Sequence, residues 1–412
     1  MKEIGVGILG FGTVGAGVAE GLLRNRKLMA ERLGVDIVLK RIADVDITTD
    51  RGVRVDPDIL TTDAQAVIAA PDVRIIVETI GGTGVARTFV LAALNAGKAV
   101  VTANKKLLAE YGKEIFDTAK KNGVDIYFGA SVGGGIPIIR SLREGLAGNE
   151  ILQIHGILNG TCNYILTRME NEGKPFDEVL ADAQKLGYAE ANPSLDIDGF
   201  DTAHKACILS ALAYGFQPSL DQVQVEGIRN LSGLDVKYAA DFGYRIKLLA
   251  VVARHDADIE VGVHPTLVPF SHMLASVNGV FNAAMVRGDL VGDIGDIARI
   301  MAHGETRYAR AVPEYGEGTT KLRAPGDIVS RFYLRFMVAD RAGSFGTLST
   351  TLGRYGVSIS AATQKDEDSG ETGYVPVVVL THPAPAKALD AALAEIAEAG
   401  IVNEPPVKLR ML

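Results

Sequence analysis

The stretch GILGFGTVGAGV, Gly7 to Val18, decides how the first third of this chain is read. An apolar run beginning at Ile4 ends in Gly10, Gly12 and Gly15, spaced G-x-G-x-x-G, and passes directly into a helical pattern. Gly10 allows a tight turn, Gly12 lets backbone approach a pyrophosphate, and Gly15 lets helix and strand pack closely with the helix N-terminus facing the anion. In a strand–turn–helix setting this spacing points to dinucleotide binding, with a merely structural turn as the alternative. From Ile4 to about Gly129, further β-branched runs (VDIVLKRIAD, VRIIVETIG, KAVVTAN, VDIYFGA) alternate with helical patterns such as RTFVLAALNAG and LLAEYGKEIFDTAKKNG. Such alternation implies βαβ units and a parallel sheet covered on both faces.

The pattern changes further along. From about Ile151 to Ser330, strands (EILQIHGILNG, YRIKLLAVVARHD, DIEVGVHPTLV) mix with helices at CNYILTRMENEG, FDEVLADAQKLG and TAHKACILSALAYG, the signature of an α+β domain. After KLRAPGDIVS comes strand (Arg331 to Ala339), helix (Ser344 to Tyr355), two strands, helix (Ala384 to Ala399) and a last strand in EPPVKLRML, a ferredoxin-like βαββαβ order. With 412 residues, 47% apolar and 22% charged, the chain has material for two or three soluble domains. Its formal charge of -8 is dispersed and offers no basic face, so nucleic acid is excluded as an expected partner. No stretch approaches the roughly 20 apolar residues of a membrane span. MKEIGVGILG reads as a strand rather than a leader, and two cysteines, Cys162 and Cys207, suit a reducing cytoplasm.

Several residues stand out for their chemistry. Asp44, in RIADVD at the end of the second strand, is placed to accept hydrogen bonds from an adenosine ribose, its alternative being a solvated loop acid. It lies further from the glycines than the usual ~20 residues because a helix is expected to extend through RNRKLMAERLG, and Arg41 keeps a 2'-phosphorylated cofactor open. VVTANKKLLAE sets Asn104 and Lys105 just past a strand's carboxyl end, where open α/β sheets bind ligands, against the reading of two solvated lysines. Gly133, Gly134 and Gly135 suit either a turn or carbonyls converging on a cation. Cys162, ahead of a predicted helix, is either a nucleophile of the thioester-forming kind or a small buried apolar residue. In LGYAEANPSLDIDGFDTAHK, residues 186–205, Asp201 and Lys205 fall at i and i+4 on one helix face. The apolar sequel KACILSALAYG draws that face toward a core, where an ammonium needs anionic partners and is suited to proton transfer at a carbonyl oxygen; an exposed ion pair is the alternative.

These motifs together resemble the homoserine dehydrogenase family over nearly the whole chain. Ala183, Gly187, Tyr188, Ala189, Asn192, Pro193, Asp196, Gly199, Asp201 and Lys205 fill its signature without a gap, and GFGTVGAGV, TANKKLL, ASVGGGIPII and NGTCNYIL follow in the right order. The resemblance implies an α/β fold class: a Rossmann-type, doubly wound NAD(P)-binding domain over 1–150 and an α+β domain for catalysis and dimerisation over 151–329, its final part returning to the nucleotide domain. A ferredoxin-like ACT domain over 330–412 completes it. It further implies reversible hydride transfer between a nicotinamide and aspartate 4-semialdehyde, giving homoserine. Lys205 would handle the proton, Asp201 would orient it, and Lys105 would polarise the substrate and contact the cofactor. Glu190, Asp196, Gly160 and Thr161 would hold homoserine; Gly10, Phe11, Gly12, Thr13, Val14, Gly15, Asp44, Ile80, Gly81, Ala103 and Lys105 would line the cofactor. A sodium ion would sit on the carbonyls of Gly129, Val132, Gly134 and Ile136. Threonine is the implied effector at the ACT domain, which serves regulation or dimerisation, and a homodimer or homotetramer is the implied assembly.

The chain departs from the family in places. Gly129 stands where an acid is usual, and Asp44 and Val45 replace a basic residue, which favours NAD over NADP. Ala342 stands where the ACT loop commonly has proline, while Asp340 and Gly343 are kept. Between VRGDLVGD and IGDIARIM, near residue 293, a tyrosine- and glycine-rich segment is missing. That leaves two alternatives beside the dehydrogenase: a catalytically impaired amino-acid-binding homologue, and a Cys162-dependent semialdehyde dehydrogenase.

Overall fold

The computed structural model describes residues 1–289, 320–364 and 373–412. The absent glycine-rich segment near residue 293, and the expected return of the chain to the nucleotide domain, lie outside the described residues. Two compact units are present. One comprises Met1–Ile151 with Cys207–Leu220, the other Leu152–Ala206 and Asp221–Arg287 with the chain from residue 320 onward.

The first unit is a parallel sheet of β1 (Lys2–Leu9), β2 (Val35–Ala43), β3 (Leu60–Thr61), β4 (Ile75–Glu78), β5 (Ala99–Thr102) and β6 (Ile126–Tyr127) in the order β3-β2-β1-β4-β5-β6. Its helices are α1 (Thr13–Arg24), α2 (Arg26–Leu33), α3 (Ala64–Ala69), α4 (Val85–Asn95) and α5 (Lys105–Asn122). The strand order reverses between β1 and β4, so the crevice at their carboxyl ends is the topological switch point of a doubly wound sheet. Val6, Ile8, Phe11, Ala16, Ala19, Leu39, Ile42 and Val77 form the core beneath that crevice. The single extended helix expected after the glycines is instead two, divided at Asn25, and α2 has no buried residue. Its leucines, Leu28 and Leu33, are exposed, so no buried apolar face holds α2 collinear with α1.

In the second unit the described strands join one sheet, whose main path is β11-β7-β9-β10-β17-β13-β15-β14. These are β7 (Ile151–Ile157), β9 (Tyr244–His255), β10 (Asp258–Pro269), β11 (Ala283–Gly288), β13 (Val329–Ala339), β14 (Ile359–Gln364), β15 (Tyr374–Thr381) and β17 (Val407–Met411). Short strands β8 (Gln224–Val225) and β12 (Lys321–Leu322) pair with β10, and β16 (Ala384–Pro385) pairs with β13. The helices are α6 (Gly160–Glu172), α7 (Phe176–Lys185), α8 (Ser194–Ile197), α9 (Phe200–Tyr214), of which the residues up to Ala206 belong to this unit, α10 (Gly233–Asp241), α11 (Ser344–Arg354) and α12 (Ala386–Glu398).

The βαββαβ order expected from Arg331 onward is present, packed on Phe332, Leu334, Phe336, Leu348, Leu352, Val377 and Leu389. Its last strand does more than close that unit. β17 pairs antiparallel with β13 and parallel with β10, through Thr266↔Arg410 and Leu267↔Met411, so one sheet runs through both halves of the unit. A buried ionic joint reinforces the seam. Arg335 on β13 donates to both oxygens of Asp235 at 2.7 and 3.3 Å, and Asp235 is also the capping-box acid of α10.

Candidate active site

At the glycine turn, Gly10 has φ of 100°, and a Cβ on Gly15 would lie 2.0 Å from the Gly10 carbonyl oxygen, so both positions admit only glycine. Gly12 faces open space, and α1 begins after it with no side-chain cap. The first amides of α1, from Thr13 to Gly15, therefore keep their donors for an anion. Thr13 and Val14 are exposed, while Phe11 packs into the core.

The acids around this turn brace backbone. Asp44, expected at the cofactor ribose, accepts a hydrogen bond from the Phe11 amide on one oxygen and from the Asp46 amide on the other at 2.9 Å. It ties the glycine loop to the end of β2. Arg41 pairs with Asp72 at 3.6 Å, ahead of the amino end of β4.

A residue that sequence reasoning passed over lies at the centre of the crevice. Glu78, fully buried at the end of β4, accepts from the amides of Ile80 (2.9 Å) and Gly81 (3.1 Å) with one oxygen and from the Thr102 hydroxyl with the other. Thr102 receives the Asn104 amide at 2.9 Å, and the Asn104 side chain donates to the Gly82 carbonyl at 2.7 Å while capping α5 through Leu107. The Ile80–Gly82 and Ala103–Lys105 loops are thereby fastened to one another. Of the two lysines that follow, Lys106 is exposed and pairs with Glu110 at 3.8 Å, whereas Lys105 is half-buried. In the glycine loop beyond β6, Gly129 opens a 3-10 turn, Val132 is buried, and Gly133 and Gly134 take φ of 79° and 59° ahead of Ile136.

The second unit brings two of the four acids of residues 186–205 to one amide side chain. Asn159 caps α6 by accepting from the Cys162 amide at 2.8 Å, and its NH2 donates to Asp196 at 2.7 Å and to Asp201 at 3.0 Å. Asp201 also receives the Lys205 ammonium at 2.6 Å, and that ammonium donates a second bond to the Leu158 carbonyl at 2.5 Å. The Lys205 and Asp201 side chains are 14% and 4% exposed, which excludes the solvated ion pair. An ammonium has three donors. Two are committed within the unit, and among the described residues the third has no partner.

The remaining predicted residues separate. Thr161 donates to the Tyr188 carbonyl at 2.6 Å, binding the start of α6 to the signature loop, and Gly160 packs so closely on Val280 that a Cβ would lie 2.6 Å from its carbonyl oxygen. Asp198 turns away to Arg229 through two hydrogen bonds at 2.9 and 3.0 Å. Glu190 is exposed, apart from the acids joined by Asn159. Cys162 is fully buried, its thiol donates to the Asp196 carbonyl at 3.2 Å, and burial with Asp196 and Asp201 nearby pushes its pKa well above the ordinary value. A thiol so placed stays protonated, so the thioester reading is corrected: Cys162 braces Asp196.

Known proteins divide along the same lines. The family profile described as homoserine dehydrogenase matches residues 137–312, its NAD-binding domain residues 10–129, and the ACT domain residues 332–398. A curated homoserine dehydrogenase of Neisseria gonorrhoeae is 41% identical over 440 residues, covering 100% of this chain and 99% of the relative. The chain belongs to the homoserine dehydrogenase family. It is accordingly an NAD(P)-dependent oxidoreductase acting on a CH–OH group, with a C-terminal ACT domain. The alternatives of an impaired homologue and a cysteine-dependent enzyme are not favoured. Since the aligned length exceeds the 412 residues of the chain, the Neisseria relative carries residues that this one lacks. Another homoserine dehydrogenase, from Bacillus subtilis, is 37% identical over 93% of the chain and 92% of the relative. Among solved structures, a homoserine dehydrogenase from Thiobacillus denitrificans superposes with a TM-score of 0.90 at 38% identity, over 100% of this chain and 99% of that one. A hyperthermophilic archaeal homoserine dehydrogenase in complex with NADPH matches with a TM-score of 0.58 at 28% identity, over 73% of this chain and 97% of that one.

Proposed function

We propose that this homoserine dehydrogenase interconverts L-homoserine and L-aspartate 4-semialdehyde with Lys205 as its proton carrier. The observation that carries the reading is the Lys205 ammonium, sequestered with Asp201 and the Leu158 carbonyl and keeping one donor unspent. The nicotinamide supplies the chemistry of hydride exchange with the carbinol carbon. In reduction the Lys205 ammonium gives a proton to the carbonyl oxygen, where negative charge builds and a cation is required; in oxidation the neutral amine that remains takes the hydroxyl proton and becomes the ammonium again. Asp201 orients Lys205, Asp196 and Glu190 bind the amino group of homoserine, and Gly160 and Thr161 contact the substrate from the start of α6. Lys105 polarises the reacting oxygen and contacts the cofactor.

The uncapped amides of Thr13 to Gly15 fit a pyrophosphate, with Ile80, Gly81 and Ala103 as the other lining residues. NAD is the preferred cofactor, a reading supported by an acid, Asp44, at the end of β2 and by the Arg41–Asp72 pair. Consecutive left-handed glycines, Gly133 and Gly134, support a sodium ion on the carbonyls of Gly129, Val132, Gly134 and Ile136. Threonine is the effector at the ACT domain; the Asp340–Gly343 loop leads into α11, whose Ser344 hydroxyl is buried and has no partner among the described residues. The enzyme serves the synthesis of threonine, methionine and isoleucine in the cytoplasm, as a homodimer or homotetramer.

An absorbance assay of homoserine oxidation with NAD and then NADP, with threonine added afterwards, tests these points together. Turnover favouring NAD and reduced by threonine is expected. Absence of turnover with either cofactor overturns the enzymatic reading.

A further inference from the structure

The last strand of the ACT domain reaches beyond its own sheet. Arg410 on β17 donates to Glu260 of β10 at 2.6 Å and to the Gln224 side chain of β8 at 2.9 Å. Its side chain is 11% exposed and that of Glu260 7%, so the pair is nearly dry. Glu260 is satisfied on its other oxygen by His255 at 2.8 Å. The chain ends inside the same region: the Leu412 amide donates to the Leu267 carbonyl at 3.0 Å, and its side chain packs on the cluster of Ile157, Leu249 and Val268.

Gln224 opens a six-residue segment that ends against the substrate acids. β8 pairs with β10 through Gly262↔Gln224 and Val263↔Val225, and the Glu226 amide donates to the Val263 carbonyl at 2.8 Å. Gly227 then lies against α8 with no room for a side chain, since a Cβ there would sit 2.1 Å from the Ile197 carbonyl oxygen and 2.4 Å from the Asp198 Cα. The Ile228 amide donates to that Ile197 carbonyl at 2.8 Å, and Arg229 clamps Asp198. Asp196 is on the same single turn of helix, facing Asn159. A four-residue helix has little stability of its own, so its placement depends on what packs around it.

We propose that Arg410 is a positioning residue for substrate binding: by holding Gln224 it fixes the Gln224–Arg229 segment against α8 and so sets the position of the Asp196 carboxylate. The ACT domain thus contributes to homoserine binding through its C-terminal strand, with or without an effector present. This rests on the reading of Asp196 as a substrate ligand.

The test uses the full-length enzyme with three substitutions. Gln224→Leu removes one arm of the contact and leaves the Arg410–Glu260 pair intact; Arg410→Lys keeps the charge and loses the fork; Asp196→Asn probes the substrate reading itself. Gln224→Leu and Arg410→Lys are each expected to raise the homoserine KM about tenfold, the equivalent of about 1.4 kcal/mol, with kcat and the cofactor KM unchanged. Amide hydrogen exchange over residues 194–198 and 226–229 is expected to speed up in both. Faster exchange with an unchanged homoserine KM in all three variants refutes the substrate role of Asp196 and leaves the mechanical link standing. Unchanged exchange and KM in Gln224→Leu and Arg410→Lys, alongside a raised KM in Asp196→Asn, overturns the proposal while the substrate reading survives. A melting temperature close to the parent's in Gln224→Leu excludes general unfolding as the cause.

Discussion

Replacing Asn159 with serine separates two duties that one side chain performs. Serine caps a helix as well as asparagine does, so the Cys162 amide stays satisfied and α6 keeps its start. The shorter hydroxyl cannot span Asp196 and Asp201, now met at 2.7 and 3.0 Å by the same NH2. Hydrogen bonds to charged groups contribute about 1.5–3 kcal/mol each, and the lower figure applies because Asp196 is partly exposed. Two such bonds make about 3 kcal/mol, which at 1.4 kcal/mol per decade is a fall of about 150-fold in kcat/KM for homoserine if all of it is felt in the transition state. Asn159→Asp retains the cap too, but adds a third carboxylate beside the pair, so it is expected to lose at least as much. The assay is homoserine oxidation followed by nicotinamide absorbance, with thermal melting alongside. If Asn159→Ser turns over like the parent while Asn159→Ala does not, the residue is only a cap and the bridging argument fails.

Three other perturbations have defined outcomes. Cys162→Ser should keep kcat within about threefold of the parent, because the hydroxyl still donates to Asp196 and a thiol held protonated by burial offers no nucleophile; iodoacetamide should leave the native enzyme unmodified, and abolished turnover in the serine variant would restore the thioester alternative. Burial holds His155 down to about 4 and His264 down to about 3, from an ordinary 6.5. Between about pH 6.5 and 4 the unfolded chain therefore binds two protons that the folded one does not, and stability is lost on acidification at about 2.7 kcal/mol per pH unit; urea titrations across that range should show the slope, and a flat profile would contradict it. Asp44→Ala frees the Phe11 amide and should raise the KM for NAD about 10- to 100-fold, from one lost bond to a charged group, leaving the homoserine KM alone; an unchanged NAD KM would remove Asp44 from the cofactor site.

How far the sequence carried the structure depends on whether a residue's duty is local. The βαβ alternation of a parallel sheet and the βαββαβ tail follow from periodicity and glycine spacing, which act within a few residues of one another, whereas the strand order β3-β2-β1-β4-β5-β6 is seen only in the folded chain. Asp201 and Lys205 were legible for the same reason, being one helical turn apart. Asn159 and Glu78 were not. Their partners are 37 and 42 residues away for the first and 24 for the bond to Thr102, and only the folded chain brings them together. The signal available for Asn159 was its cap spacing to Cys162, and for Glu78 an acid in an otherwise apolar strand end, IIVETIGG. Asp44 was legible as an acid at the end of β2, but its bonds to the Phe11 and Asp46 amides were not, since the first joins residues 33 apart. Glu190 and Asp196 look equivalent in sequence; the fold holds the half-buried Asp196 against Asn159 and leaves Glu190 exposed.

In the proposed mechanism Lys205, held by Asp201 and the Leu158 carbonyl, exchanges a proton with the substrate oxygen. Lys205→Met keeps an unbranched side chain one atom shorter and removes the charge. The decisive measurement is kcat for homoserine oxidation by this variant, with cofactor affinity determined in parallel by fluorescence titration of the reduced nicotinamide. The account predicts a loss of about 10²- to 10⁴-fold in kcat with cofactor affinity unchanged. Turnover near the parent rate in a folded Lys205→Met enzyme would contradict it.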